Sequence, residues 1–218
     1  MRRLSLLPSR RITSESAVQS LYARAAQGWQ AGIERIGYTE AYDQLTLHAL
    51  KAAPLDRAAR ILDAGAGTGA LSAAFAQNAP LPCSYDLLDL SPEMLAQATT
   101  VVPAKTCQII GAIGTATLPH QSYDRILCGH VIEHCADAQV ALDWLFDHLK
   151  PGGQAVFAIS KPHWCTALLR WKYGNATFTP TAVNQMLAKA GFTGITTLPH
   201  PNGPPSRVSC GYLATRAH

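Results

Sequence analysis

Residues 60–69 read RILDAGAGTG, and this stretch decides the fold. Its first half is an apolar run typical of a buried strand, and the sequence ALSAAFAQ at 70–77 favours a helix. Between them lies a turn that contains Gly65, Gly67 and Gly69. Glycine is needed where a backbone turns sharply and approaches a ligand closely, because it has no Cβ. The stretch therefore predicts a strand, a ligand-binding turn and a helix.

Strands and helices alternate along the rest of the chain. The further predicted strands are YDLLDL at 85–90, CQII at 107–110, YDRILCG at 123–129, QAVFAIS at 154–160, GITTL at 194–198 and RVSCGYLATR at 207–216. Helices are predicted at 14–27, 39–52, 91–98, 136–149 and 179–192, the third of them capped by Ser91 and begun by Pro92. The last two strands are joined by a proline-rich loop without a helix, so we expect them to pair antiparallel.

This order of elements predicts an α/β fold with a doubly wound, mostly parallel seven-stranded sheet and an antiparallel terminal hairpin. Sheets of this kind bind ligands at the carboxyl ends of their strands. We therefore expect residues 64–70, 89–95, 111–114 and 128–134 to converge on one crevice.

The composition indicates one packed domain. The chain has 218 residues, 48% of them hydrophobic and 15% charged, with a net charge of +4, which disfavours a disordered or nucleic-acid-binding chain. We expect a flexible basic arm at 1–13, with a transit peptide as the alternative, and a single domain at 14–218. Six scattered cysteines without C-x-x-C spacing favour a cytoplasmic protein, and no apolar run is long enough to span a membrane.

Two acidic residues accompany the glycine turn. Asp89 ends the second strand, where an acid can bind both hydroxyls of a ribose, so by spacing alone NAD(P) and S-adenosylmethionine both fit. A glycine turn without any ligand is a third interpretation. Asp63 favours S-adenosylmethionine, because a carboxylate can face a cationic amino group but does little for a pyrophosphate. No tyrosine has a lysine four residues later, so the proton-transfer pair of short-chain reductases is absent.

Four stretches in order resemble the successive motifs of the class I S-adenosylmethionine-dependent methyltransferases. They are ILDAGAGTG, YDLLDLSPEML, YDRILCGHVIEH and LKPGGQAVFAIS, and the resemblance covers about residues 55–195. It implies the Rossmann-like methyltransferase fold with S-adenosylmethionine as cofactor. That family often has an acid directly after the glycine of the third strand, where this chain has Ala112.

The resemblance also implies which residues bind the cofactor. Asp63 and the glycine turn would hold the methionine part, and Asp89 would bind the ribose. The remaining cofactor residues would surround the adenine or lie at the end of the fourth strand, and they are Leu90, Met94, Gly111, Ala112, Ile113 and Cys128.

The sequence GHVIEH at 129–134 contains His130, Glu133 and His134 in the order H-x-x-E-H of an inverted zinc-protease signature. That signature needs both histidines on one long helix, whereas His130 comes directly off a strand. Three interpretations stay open: the residues pack the short helix after the strand, or a histidine removes a proton from the acceptor, or Glu133 and His134 help to hold a metal. For proton removal the candidates are His130, His134 and His163.

Aromatic residues indicate the substrate site. The N-terminal helices and an insert at 160–178 would cover it, and their candidates are Tyr22, Trp29, Tyr38, Trp164 and Trp171. They favour a flat or apolar small molecule, although packing of the cover onto the sheet would explain them equally well. The strand-four ending N-P-P-[YF], which supports methylation of nucleobases and glutamine, is absent.

We therefore expect a methyltransferase that acts on an oxygen of a small molecule. Methylation of nitrogen, sulfur or carbon is the alternative within the class. An NAD(P)-dependent oxidoreductase and a catalytically inactive cofactor-binding partner protein are the alternatives outside it. The sequence makes no prediction of the oligomeric state.

Overall fold

The computed structural model describes residues 35–163 and 176–218. In chain order the described elements are α1 (Tyr38–Ala52), β1 (Ala59–Ala64), α2 (Ala70–Asn78), β2 (Cys83–Asp89), α3 (Pro92–Val101), β3 (Lys105–Ile110), β4 (Tyr123–Gly129), a 3₁₀ turn (Ile132–His134), α4 (Ala138–His148), β5 (Leu149–Ser160), α5 (Pro180–Lys189), β6 (Thr193–Leu198), α6 (Gly203–Val208) and β7 (Ser209–Thr215). The predicted helix at 14–27 lies outside these residues.

The strands form one seven-stranded sheet in the order β3-β2-β1-β4-β5-β7-β6. The five strands from β3 to β5 are parallel, and β7 pairs antiparallel with both β5 and β6. The predicted doubly wound sheet and antiparallel pairing of the last two strands are thus confirmed. Because β7 lies between β5 and β6, its first residues lie beside the carboxyl end of β5.

Successive residues of the central strands pack into two cores, one on each face of the sheet. Leu62 and Ile126 point into the core covered by α4 and α5, and their neighbours Ile61 and Leu127 point into the core covered by α1, α2 and α3. A strand covered on both faces favours apolar residues at successive positions. This is why consecutive apolar residues stand in the middle of β1 and β4.

One predicted connection is wrong. The loop between β6 and β7 contains the short helix α6, although we expected no helix there. Asn202 precedes it, and Pro204 and Pro205 occupy its first turn, where a missing backbone N–H costs nothing because it would have no partner in the helix. The prolines therefore begin a helix, and β7 starts only at Ser209.

The longest described helix, α1, has 15 residues, fewer than the roughly 20 apolar residues needed to cross a bilayer. No helix in the described ranges meets both the length and the apolarity that a membrane span requires.

The start of α3 gives a stability prediction. Ser91 accepts a hydrogen bond from the backbone N–H of Met94, as the predicted cap requires. We expect Ser91→Ala to lower the free energy of unfolding by about 1 kcal/mol, and thus the melting temperature by roughly 2–4 °C. Thr100→Ala on the exposed side of the same helix is the control and should change stability far less. Equal effects of the two changes in a thermal melt would contradict the cap.

Candidate functional site

Four loops meet at the carboxyl ends of β1 to β4. The backbone N–H of Gly67 donates to Asp89 Oδ2 at 2.8 Å, and that of Gly111 donates to the Asp89 carbonyl at 3.0 Å. The side chain of Val131 lies so close to Gly65 that an added Cβ would be 2.2 Å from its Cγ2 atom. The structure thus brings the four predicted segments together in one crevice.

The glycine turn leaves room for a ligand close to its backbone. Gly65, Gly67 and Gly69 all have positive φ values, of 76°, 53° and 82°. At Gly67 an added Cβ would have no atom within 4 Å, so open space lies in front of this residue. Gly69 precedes the first turn of α2, whose N-terminal N–H groups add positive potential to the crevice.

Asp89 is held in place by the loops that it joins. Its Oδ2 accepts from Gly67 and its Oδ1 accepts from the backbone N–H of Ser91 at 2.9 Å. Burial raises the pKa of Asp89, and the backbone N–H groups of Ser91, Gly67 and Leu90 oppose that rise. Each carboxylate oxygen keeps a lone pair, so this side chain suits a ligand with two neighbouring hydroxyl groups.

Asp63 is a buried acid at the end of β1. Burial raises its pKa to about 7, although the hydroxyl of Ser72, which donates to Oδ2 at 2.6 Å, lowers it, and the charge of Asp89 raises it further. A carboxylate in this setting gains from a cation beside it and would repel a phosphate. Sequence reasoning missed Ser72, which lies in the first helical turn after the glycines.

The predicted adenine-binding residues differ in exposure. Leu90 and Gly111 are partly exposed at the crevice, whereas Met94 is only 1% exposed and lies largely within the protein. The carbonyl of Ala112 accepts from Ala116 at 2.9 Å and so belongs to a turn, and Ile113 is partly buried. Cys128 is fully buried, and burial raises the pKa of its thiol well above the usual value.

His130 lies directly after β4 with a left-handed backbone (φ 58°) that is unusual for a residue other than glycine. Its Nδ1 is 3.1 Å from Glu133 Oε1 and 3.2 Å from Ser160 Oγ. Glu133 is only 3% exposed, and its Oε1 also accepts from the backbone N–H of Ser160 at 2.9 Å. Burial opposes ionisation of Glu133, but the hydrogen bond and charge of His130, together with Ser160, bring its pKa well below the usual range.

The second ring nitrogen of His130 also has a partner. Nε2 is 3.2 Å from Ser209 Oγ, and that hydroxyl is 3.3 Å from His200 Nε2. The ring of Tyr38 meets the edge of His130, with 4.9 Å between centroids. Sequence reasoning missed Ser160, His200 and Ser209. The sequence did offer one indication of Ser209. If the last strand runs antiparallel to its neighbours, its first residues lie at the carboxyl ends of the parallel strands.

The other predicted site residues are two histidines and a group of aromatic residues. His134 follows in the 3₁₀ turn, and its backbone N–H donates to Val131, while His163 is the last described residue before 176. Within residues 35–163 and 176–218, no three His, Cys, Asp or Glu side chains are grouped as a metal ion would need. Four predicted substrate residues lie outside the described ranges, namely Tyr22, Trp29, Trp164 and Trp171.

Comparison with known sequences gives two findings. A family model described as a methyltransferase domain matches residues 35–197. The chain is 31% identical over 144 residues to malonyl-[acyl-carrier protein] O-methyltransferase of Enterobacter lignolyticus, covering 66% of this chain and 53% of the relative. It is also 31% identical over 101 residues to ubiquinone biosynthesis O-methyltransferase of Pseudomonas fluorescens, covering 45% and 43%. The chain spans about half the length of the curated relatives it matches.

Solved structures with the same fold include magnesium protoporphyrin IX methyltransferase from Synechocystis with bound S-adenosylhomocysteine. It has a TM-score of 0.71 at 16% identity, and the match covers 94% of this chain and 100% of that one. The N-methyltransferase NodS from Bradyrhizobium japonicum in complex with S-adenosylhomocysteine gives a TM-score of 0.65 at 18% identity, covering 82% and 87%. At these identities the likeness concerns the fold.

The contact between Gly65 and Val131 gives a prediction that compares two glycines of one turn. Gly67→Ala meets no atom and should cost about 1 kcal/mol for its left-handed backbone. Gly65→Ala should cost roughly 2 kcal/mol more, because Val131 and the 3₁₀ turn have to shift. Urea denaturation measures both values. Equal losses would show that Val131 does not restrict the turn.

Proposed function

This chain belongs to the class I S-adenosylmethionine-dependent methyltransferases, and we propose that it methylates a hydroxyl oxygen of a small-molecule acceptor. The observation that carries the choice of oxygen is the hydrogen-bonded pair of Glu133 and His130 at the end of β4. The curated relatives that the chain matches are named as O-methyltransferases, which supports the same choice.

The cofactor is S-adenosylmethionine, and the residues of the crevice fit it. The open space at Gly67 admits a ligand against the backbone, Asp89 can take the two ribose hydroxyls, and Asp63 can face the amino group. We assign the adenine to the surface between Leu90 and the Gly111–Ile113 backbone. When bound, the cofactor supplies an electrophilic methyl group on a sulfonium.

The tautomer of His130 follows from its partners. Glu133 is ionised and can only accept a hydrogen bond, so Nδ1 of His130 carries the proton. In the neutral ring Nε2 is then the nitrogen that can accept a proton. As the acceptor oxygen forms its bond to the methyl group, its proton passes to Nε2, and the resulting imidazolium lies beside the Glu133 carboxylate. S-adenosylmethionine would supply the methyl group and lose its positive charge, and His130 would hold the proton from the acceptor, so that charge is conserved.

The described surroundings of His130 suit an aromatic or apolar acceptor. The rings of Tyr38 and Tyr42 lie 4.9 and 6.4 Å from the imidazole, centroid to centroid. Burial raises the pKa of Tyr38 to about 12, so its hydroxyl stays protonated. Two neutral aromatic rings around the base favour a flat acceptor and exclude water from the reacting oxygen.

Asp63 gives a prediction for the pH dependence of cofactor binding. Its pKa of about 7 in the free protein should fall when a cationic amino group binds beside it. The favourable contribution is therefore complete above pH 7 and is lost below it. We expect the affinity for S-adenosylhomocysteine to fall about tenfold from about pH 8 to about pH 6, with a proton released near neutrality. Calorimetry in buffers of different ionisation enthalpy measures both effects.

Two variants complete this test. Asp63→Asn should bind S-adenosylhomocysteine weakly and almost independently of pH. The exposed Asp143→Asn on α4 is the control and should retain the profile of the unmodified protein. An affinity that stays flat over this range in the unmodified protein would remove Asp63 from the amino-group site.

The base assignment is tested with His130→Asn. Asparagine tolerates the left-handed backbone and can still donate to Glu133, so the variant keeps the turn and loses Nε2. We expect kcat for a phenol acceptor to fall by about 10²–10⁴, with unchanged binding of S-adenosylhomocysteine. His48→Asn on the exposed side of α1 is the control.

Release of S-adenosylhomocysteine in a panel of phenols, carboxylic acids, amines and thiols identifies the acceptor. Turnover confined to amines or thiols would reject oxygen as the target. Methylation of carboxylic acids alone, with full activity in His130→Asn, would keep oxygen as the target and reject the base, because a carboxylate arrives without a proton.

A further inference from the structure

The nitrogen Nε2 of His130, the proposed basic atom, already has a hydrogen-bond partner within the protein. The ring is fixed by Glu133 at Nδ1, and Nε2 is 3.2 Å from Ser209 Oγ. An acceptor hydroxyl that uses Nε2 must therefore replace Ser209 as its partner. The side chain of His130 is 21% exposed, whereas Ser209 is fully buried, so the imidazole keeps an open surface that an acceptor can approach.

A second imidazole, that of His200, lies at nearly the same distance from the Ser209 hydroxyl. Its Oγ is 3.3 Å from His200 Nε2, compared with 3.2 Å from His130 Nε2. A serine hydroxyl has one proton and can donate to one nitrogen at a time. The Tyr38 side chain also forms a hydrogen bond with Ser209. The phenol can donate to the serine oxygen, so the serine proton remains for one of the two imidazoles, which share it.

His200 is chemically suited to receive that hydrogen bond. It is 5% exposed, and burial, followed by the charges of His130 and Lys161, lowers its pKa to about 4. It is therefore a neutral ring with one unprotonated nitrogen at neutral pH. Any positive charge that forms on His130 during turnover keeps His200 neutral. The Tyr38 ring lies 6.5 Å from it, centroid to centroid, on the side of the helix α1.

We propose that Ser209 is a hydrogen-bond switch between His130 and His200. In the resting site the hydroxyl donates to His130 Nε2 and satisfies it. When the acceptor hydroxyl arrives, Ser209 turns its proton to His200 Nε2, and the acceptor donates to His130 in its place. His200 is thus a positioning residue that acts through Ser209. Because the serine gains a hydrogen bond to His200 when it loses the one to His130, its displacement leaves the number of its hydrogen bonds unchanged. This inference rests on the proposed methylation of a hydroxyl group.

A double-mutant cycle tests the switch. In His200→Leu the serine has no imidazole other than His130 to receive its proton, so the acceptor must break that bond without replacement, and we expect KM for a phenol acceptor to rise about fivefold to tenfold. His200→Gln places an amide near the position of Nε2 and should stay within about twofold of the unmodified enzyme. In Ser209→Ala nothing competes for His130, and because the exchange in the unmodified enzyme is neutral in hydrogen bonds, KM should stay within about twofold of the unmodified value.

The double variant His200→Leu/Ser209→Ala is the decisive one. If His200 acts only through Ser209, its loss has no effect once the serine is gone, and the double variant should match Ser209→Ala. Additive effects would overturn the switch, as would a rise in KM beyond about twofold for Ser209→Ala. Calorimetry with S-adenosylhomocysteine verifies that each variant keeps its cofactor site.

The cycle separates this inference from the proposed function. Phenol methylation that is lost in His130→Asn, combined with additive effects at positions 200 and 209, rejects the switch and leaves the oxygen chemistry in place. A wild-type enzyme that methylates only amines or thiols rejects the proposed function and the switch with it.

Discussion

The buried charge of Glu133 is the constraint on which the candidate site depends. A carboxylate that is 3% exposed has to be neutralised and hydrogen-bonded, or it would protonate or destabilise the fold. Its Oε1 takes the backbone N–H of Ser160 and the imidazole of His130, while Oε2 has no hydrogen-bond partner in the part of the chain that is described. The imidazole of His130 and the backbone N–H of Ser160 are therefore the groups that stabilise this charge. The Glu133 carbonyl also accepts from the N–H of Ala176 at 2.9 Å, which ties the returning chain to the same turn.

This constraint connects the two halves of the site. The loop after β4 carries His130 and, as the next residue, Val131, whose side chain lies against Gly65 in the cofactor turn. The Glu133 pairing that orients the imidazole therefore also fixes the residue that shapes the glycine turn. The proposed base His130 and the proposed cofactor turn are thus held at a set separation by one short segment, as an in-line displacement between a bound methyl group and an acceptor requires.

The elements nearest in sequence to the glycine turn were the ones that the sequence predicted best. The strands β1, β2, β4 and β5 are largely buried and contain stretches of consecutive apolar residues, and the predicted cofactor residues lie in local motifs that follow the strands. The network around His130 could not be predicted in the same way. Ser160, His200 and Ser209 come from the ends of β5, β6 and β7, and only the insertion of β7 between the other two strands brings them together. The short helix α6 was missed because prolines signal a loop as readily as the first turn of a helix.

The contact between Ser209 and the proposed base His130 bears on how the proposed site would discriminate among ligands. A free imidazole nitrogen would gain a full hydrogen bond from any hydroxyl, water included. When Ser209 already satisfies His130, a hydroxyl takes its place only as the serine turns to His200, so the contact at His130 adds little beyond the hydrogen bond that the hydroxyl gives up to water. The binding energy must then come from the rest of the acceptor, against surfaces such as the rings of Tyr38 and Tyr42. Water makes no such apolar contact, so the proposed exchange at His130 would favour a larger, flat acceptor over water.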